Sequence, residues 1–353
     1  QVCVDCAFQR TLHHLDMPCT MAPLASSQRA AWLLLAALLT ASPVTVAGVV
    51  QPFDCATYGS TAIQITNDGA AVSVKALVLG SGGEYDTLFQ VKFSDYPGMA
   101  GLNAVAISPI DSKVYCNVRV NDTVYIARFD ATSLEYVAAA PTYFNAGAFD
   151  VDGVFYASSS ALSKVASYTN VHLLAGYSTP PLAGLPTHAS YKNLNASPGS
   201  DINIVKRDLH TGKGLLTWLV SVDSGRVWAV PADGSKACKS SIVASPAGEW
   251  GSAWSFNGNL FYASSGAAGV IEVTLSDCTS GGALTATYVV VGPTAGLTNN
   301  DGLNCMGSNA PDFGLTSTVT TTRTTTTMTS TTATSTSSST TSSLTSTSSS
   351  TTA

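Results

Sequence analysis

The chain has 353 residues, of which only 11% are charged, against roughly 25% for an average soluble domain, and its formal net charge is −6. No run of Lys and Arg occurs. That excludes a nucleic-acid partner, because phosphate binding needs clustered basic side chains.

Residues 1–20 precede Met21 and carry Cys3, Cys6, Cys19, His13 and His14. Cys3-x-x-Cys6 with two histidines supplies half a zinc site, but a whole one needs four ligands at compatible spacing. The segment therefore reads as upstream or gene-model sequence. Residues 21–47 read as a signal peptide: Arg29, an apolar run from Ala30 to Leu39, then Thr45-Val46-Ala47 with small side chains at the cleavage positions. The run is too short to span roughly 30 Å of hydrocarbon as a helix, so the mature chain is expected to lack a transmembrane span.

From 51 to 313 no amphipathic helix is evident. Short β-prone runs recur instead, among them Ala62-Ile63-Gln64-Ile65, Thr123-Val124-Tyr125-Ile126-Ala127 and Thr287-Tyr288-Val289-Val290-Val291, punctuated by Gly, Asn, Asp and Pro. Many short strands with regular turn signals indicate a sandwich, barrel or propeller. Repetition separates these. Ala148-Phe149-Asp150-Val151-Asp152-Gly153-Val154-Phe155-Tyr156-Ala157-Ser158 matches Ala253-Trp254-Ser255-Phe256-Asn257-Gly258-Asn259-Leu260-Phe261-Tyr262-Ala263-Ser264 almost position for position. Looser copies run from Ala106 to Tyr115 and from Val220 to Ala229. The turns fall near 111, 152, 223 and 257, and the widest gap predicts a degenerate copy inside it. With about 40–45 residues per blade, the expected fold is an all-β β-propeller of six or seven blades. The prolines between 176 and 200 exclude a central strand and predict an inter-blade loop on the ligand-recognising face. Residues 314–353 form a Ser/Thr-rich tract with too few apolar residues to order, expected to be a disordered mucin-like tail or linker.

With residues 1–20 set aside, Cys55, Cys116, Cys238, Cys278 and Cys305 remain. Five is odd, so at most two bridges form in one chain. Cys116 lies in an apolar strand pattern as a buried thiol. Cys55 with Cys305, and Cys238 with Cys278, are the preferred pairs, with the connectivity left open. Two N-glycosylation sequons occur, at Asn121 and at Asn195, the second weakened by Pro198.

No catalytic constellation stands out: there is no Gly-x-Ser-x-Gly elbow and no His-Glu-x-x-His helix. His172, His188 and His210 have no ligand spacing and read as surface or turn residues. Glu84, Glu135, Glu249 and Glu272 are widely separated. Asp150-Val151-Asp152-Gly153 and Asn300-Asp301-Gly302 raise a calcium question, but neither continues into a full acidic loop, and turn chemistry explains them better. No catalytic, cofactor or metal residue is assigned.

The segments Asn145–Gly153 and Asn103–Asp111, the opening Pro52-Phe53-Asp54-Cys55 and the closing Asn299-Asn300-Asp301-Gly302-Leu303-Asn304-Cys305 resemble an uncharacterised propeller-like domain family of secreted and surface proteins. That family is a domain of unknown function with AGxFDxDG repeats and a terminal NNDGxxC segment, commonly beside adhesive or repetitive modules. The resemblance covers about 51 to 310 and implies a surface or matrix role with no catalytic residue. It also fits a ring-closing bridge between the terminal cysteines.

The leading expectation is a secreted or cell-surface binding or structural module, monomeric, glycosylated and carried on the tail, with an extracellular protein or carbohydrate ligand. The alternatives are a propeller-type hydrolase or lyase acting on carbohydrate, and a targeting domain of a larger enzyme. A channel mouth with converging Asp, Glu or His and room for a sugar would favour the enzyme.

Overall fold

The computed structural model describes residues 49–314 except 160, 161, 163, 181–184, 186–188, 194–200, 211, 213, 242–249, 267 and 298, and only the backbone of 189–193. The readings of residues 1–20, the signal peptide, the Ser/Thr tract from 315, His188 and Asn195 lie outside the described residues. Apart from a one-turn helix α1 (Cys55–Tyr58) and two 3-10 turns, the regular structure is all strand.

The strands form a β-propeller of five four-stranded blades among the described residues. Blade 1 contains β1 (Ile63–Asn67), β2 (Ala71–Leu77) and β3 (Tyr85–Lys92). Blade 2 is β4 (Met99–Ile107), β5 (Val114–Val120), β6 (Thr123–Phe129) and β7 (Leu134–Ala139). Blade 3 is β8 (Ala146–Phe149), β9 (Phe155–Ser158), β10 (Lys164–Tyr168) and β11 (Ala189–Asn193). Blade 4 is β12 (Ile202–Arg207), β13 (Leu216–Asp223), β14 (Arg226–Pro231) and β15 (Cys238–Ser240). Blade 5 is β16 (Trp250–Phe256), β17 (Asn259–Ser264), β18 (Val270–Cys278) and β19 (Ala283–Gly292). The last strand, β20 (Asn300–Leu303), returns to blade 1 and pairs antiparallel with β1, Ile65 opposite Asp301. The first and last strands thus share a blade, and β4, β8, β12, β16 and β20 pack side by side in a closed circuit around the axis.

Burial follows position in the blade. Inner β4 is buried at seven of its nine residues and reads as a nearly continuous apolar run. Outer β19 alternates exposed and partly covered residues along most of its length, with the period of two expected when one face meets water. One hydrophobic cluster fills each junction between neighbouring blades. Polar bonds cross the same junctions: Trp254 Nε1 donates to the Ile63 carbonyl, Tyr262 OH to the Val220 carbonyl and Asn203 Nδ2 to the Trp254 carbonyl. Blades 4 and 5 are also zipped at their outer edges, where β15 and β19 pair in parallel and two otherwise unpaired edges are covered.

Five blades replace the six or seven expected. The inner strands begin at 99, 146, 202, 250 and 300, so successive blades are spaced by 47, 56, 48 and 50 residues, longer than the assumed repeat. The turns near 111, 152 and 257 all connect an inner strand to its neighbour, but the one at 223 connects β13 to β14. That copy is a different hairpin of its blade, built on Ser224 and Gly225 with φ of 49° and 71°. A second correction concerns 176–200, which is not all loop: Ala189–Asn193 is the outer strand of blade 3, an edge position compatible with nearby prolines. The third concerns Asn300-Asp301-Gly302, which is strand rather than turn.

Candidate functional site

The channel along the axis is lined by all five inner strands, with Ala106, Gly147, Asn203, Ala253 and Gly302 each facing it. Gly302 is required there, because a Cβ on it would collide with the backbone of Ala253 on β16. Two carboxylates lie beside this axis. Asp201, just before β12, accepts from Ala253 N at 2.8 Å, Gly302 N at 2.7 Å and Ile202 N at 2.8 Å. Asp301, on β20, accepts from Val105 N of β4 at 3.4 Å. They are 2% and 4% exposed. Burial pushes Asp301 up to about 8, with the Val105 and Ala104 N–H groups offsetting part of that rise. Burial, then the charge of Asp301, raises Asp201 as well. Beside them Asn300 Nδ2 donates to Ser252 Oγ at 2.8 Å, and Ser252 Oγ donates to Gln64 Oε1 at 2.7 Å.

These carboxylates join strands from four blades through backbone amides. The free space in the channel is about 30 Å³. A buried water needs some 10–15 Å³ on the same measure, so this space among the described residues is large enough for a water or two and smaller than a sugar ring. Paired glycosidase carboxyls need a substrate between them.

A larger cavity, of about 240 Å³, opens at the junction of blades 1 and 2. The segment 49–54 forms a strap over this side of the molecule, tied down at three points: Val50 N donates to Glu135 Oε1, Gln51 N to Asp130 Oδ2 at 2.6 Å, and Phe53 N to the Ser112 carbonyl at 2.7 Å. Asp54 then caps α1 by accepting from Thr57 N at 3.0 Å. The strap and α1 contribute Phe53, Asp54 and Tyr58 to the cavity, β3 contributes Phe89, and the end of β6 contributes Phe129 followed by Asp130. The rings form two contacting pairs, Phe53 with Tyr58 at 5.6 Å and Phe89 with Phe129 at 6.2 Å between centroids. The bond from Thr57 holds the Asp54 carboxyl below the usual carboxylate range. Burial acts to raise Asp130, but donors from Gln51, Thr132 and Ser133 outweigh it and hold that carboxyl low as well.

Disulfides join Cys55 to Cys305 and Cys238 to Cys278, and Cys116 is a buried thiol on β5. The first bridge ties α1 to the end of β20, and the second clamps the zipped edges of blades 4 and 5. Burial drives the Cys116 thiol well above its ordinary value, so it stays protonated and unreactive. His210 approaches the second bridge, with Nε2 3.8 Å from Cys278 Sγ. The three ligand atoms of His210, Cys238 and Cys278 lie within 4.8 Å of one another, but the two sulfurs are bonded together and only the imidazole is available to a metal. Asn121 occupies the exposed tip of the β5–β6 hairpin with φ of 51°. Asp150 accepts from Asp152 N, Val154 N and Tyr156 OH, and Asp152 pairs with Lys206 Nζ at 2.8 Å. Their oxygens are engaged by protein donors rather than gathered round a cation. Sequence reasoning assigned no role to Asp201, Asp301 or the cavity aromatics. They are far apart in the chain, and only closure of the ring and the strap brings them together.

Among the described residues no helix is long and apolar enough to cross a membrane. The profile of a family described as "Repeat of unknown function (DUF6923)" matches residues 81–307. No curated protein matches. Among solved structures, virginiamycin B lyase from Staphylococcus aureus is similar at 12% identity and a TM-score of 0.32, over 66% of this chain and 71% of that one. A structure titled as a nidogen/laminin complex is similar at 10% identity and 0.33, over 60% and 88%. A gluconolactonase from Xanthomonas campestris is similar at 14% and 0.27, over 72% and 90%.

Proposed function

The chain belongs to the family of repeats of unknown function DUF6923, and on that premise we propose that its propeller is an extracellular binding or structural module rather than a carbohydrate-cleaving enzyme. The observation that carries this reading is the narrowness of the axial channel among the described residues. Its two carboxylates are held by backbone amides, and the space beside them admits a water or two. Two disulfides agree with export, since such bridges persist in oxidising compartments. In this reading residues 21–47 direct secretion, Asn121 carries a glycan at its exposed hairpin tip, and the Ser/Thr tract is a glycosylated stalk holding the propeller at the cell surface or in matrix.

The test incubates the fluorescently labelled, secreted full chain with cell-surface and extracellular-matrix preparations. Retention on the surface and release of reducing or unsaturated sugars are measured in the same samples. Retention without sugar release is expected. Sugar release proportional to the amount of protein would overturn the reading in favour of a hydrolase or lyase.

A further inference from the structure

The cavity under the strap combines features that select one kind of ligand. Its lining includes the aromatic residues Phe53, Tyr58 and Phe89, with Phe129 buried behind Phe89, two carboxylates, Asp54 and Asp130, and no cationic residue. Aromatic faces carry negative electrostatic potential and attract a cation placed over them within about 6 Å of the ring centroid. A carboxylate beside such rings adds a full opposing charge. About 240 Å³ of free space exceeds the roughly 150 Å³ that accommodates benzene in an engineered cavity. A compact organic cation fits, whereas a bare metal ion would find too few converging oxygens.

We propose that this cavity binds an alkylammonium group, with Phe53, Tyr58 and Phe89 beside its apolar part and Asp54 and Asp130 supplying the opposing charge. Both carboxylates are ionised at neutral pH. Asp130 is held in place by the strap and by its own turn: Oδ2 accepts from Gln51 N, and Oδ1 from Thr132 N and Ser133 N. One Oδ1 atom with several donors is saturated, while Oδ2 keeps a lone pair for a ligand proton or a close positive charge. The strap is thus a structural part of the site, because it contributes Phe53 and Asp54 and engages Asp130. The inference deepens the binding-module reading and rests on it. It names a ligand class for a pocket that the sequence motifs do not mark.

The experiment titrates the intact secreted chain by calorimetry with three probes: choline, its neutral carbon isostere 3,3-dimethylbutanol, and Nα-acetyl-lysine amide. Choline or the lysine amide is expected to bind about tenfold more tightly than the neutral isostere. A preference for choline identifies quaternary small molecules or headgroups as the source, and a preference for the lysine amide identifies a protein side chain. Either preference supports the site. Asp54→Asn is the sharpest variant, because Asn caps a helix as well as Asp does and only the charge is lost. It should weaken the preferred cation three- to tenfold and leave the isostere unchanged. Phe53→Leu, which removes an aromatic face and keeps apolar bulk, should do the same. Equal affinity for cation and isostere, or no binding of any probe, would overturn the proposal. A chain retained on surfaces without such affinity would keep the module reading and lose only this site.

Discussion

Asp301 lies 4% exposed between β4 and Asp201, and burial lifts its carboxyl to about 8 from an ordinary 3.8. The direction of the linkage follows from proton counting. Below about pH 4 the folded and unfolded chains both hold this proton. Between about 4 and 8 only the folded chain holds it, so stability falls as pH rises through that window. One proton corresponds to about 1.4 kcal/mol per pH unit, and a chain of this size shifts by about 2–4 °C per kcal/mol. Asp201 is raised by the same burial, so the melting temperature should fall by at least about 3–5 °C per unit between pH 5 and 8. Asp301→Asn removes one of the two buried titrations while keeping an oxygen for the Val105 N–H, so its melting temperature should fall less steeply with pH than the parent's and lie above it at pH 8. Calorimetric scans at pH 5, 6, 7 and 8 check this, and parallel pH profiles for parent and variant would remove the buried titration from the account. At this scale little was legible in the sequence. Asp201 and Asp301 stand a hundred positions apart, and Asn300-Asp301-Gly302 has the composition of a turn. Only ring closure puts it into an inner strand.

Elements explain what the sequence did reveal. Asn257 and Gly258, with φ of 49° and 81°, make the two-residue hairpin that their identities predict. The strands themselves were legible from β-branched and aromatic runs between Gly and Asn. Blade number was not, because an Asp-Ser-Gly turn signals a hairpin without saying which two strands of the blade it joins. The structure gives two glycines different duties. Gly258 has open space around a Cβ, so Gly258→Ala strains only the turn, at about 1 kcal/mol. Gly302→Ala places a methyl against the Ala253 backbone between inner strands, and its cost should reach about 3 kcal/mol, the upper end for overpacking. Urea midpoints of the two variants measure the difference, and similar losses would refute the close-approach argument. The disulfides differ in reach, closing 250 and 40 residues. In a loop-entropy account their removal costs on the order of 5 and 4 kcal/mol. Each double Cys→Ser variant should therefore melt on the order of 10 °C lower, as scanning calorimetry would show. No loss from the Cys55→Ser, Cys305→Ser pair would mean that strand pairing alone holds the ends.

Closure of the whole ring depends on a strand of only four residues. β20 pairs with β1, packs between β16 and β4, and carries Asp301, Gly302 and Asn300 into bonds with three other blades. A chain ending at Gly296 retains β1 to β19 but leaves β1 without its inner partner, Asp201 without the Gly302 N–H and Cys55 without Cys305. Blades bury their faces only against neighbours, so an unclosed junction exposes the cores on both its sides, and no blade can compensate alone. The truncated chain should lose its single sharp thermal transition and bind a dye for exposed apolar surface. A synthetic peptide of residues 297–307, added in a glutathione buffer, should occupy the vacant inner position. Oxidised glutathione then accepts the two electrons released as the peptide's Cys305 joins Cys55. The expected result is a sharp transition restored in step with a covalent adduct seen by mass spectrometry of the non-reduced sample. Capture of the peptide without recovery of the transition would show that the thiols meet but the ring is not re-formed. A truncated chain that melts like the parent would show that five blades stand without closure, and the stabilising role given to β20 would then have to pass to the inter-blade cores and the zipped edge of blades 4 and 5.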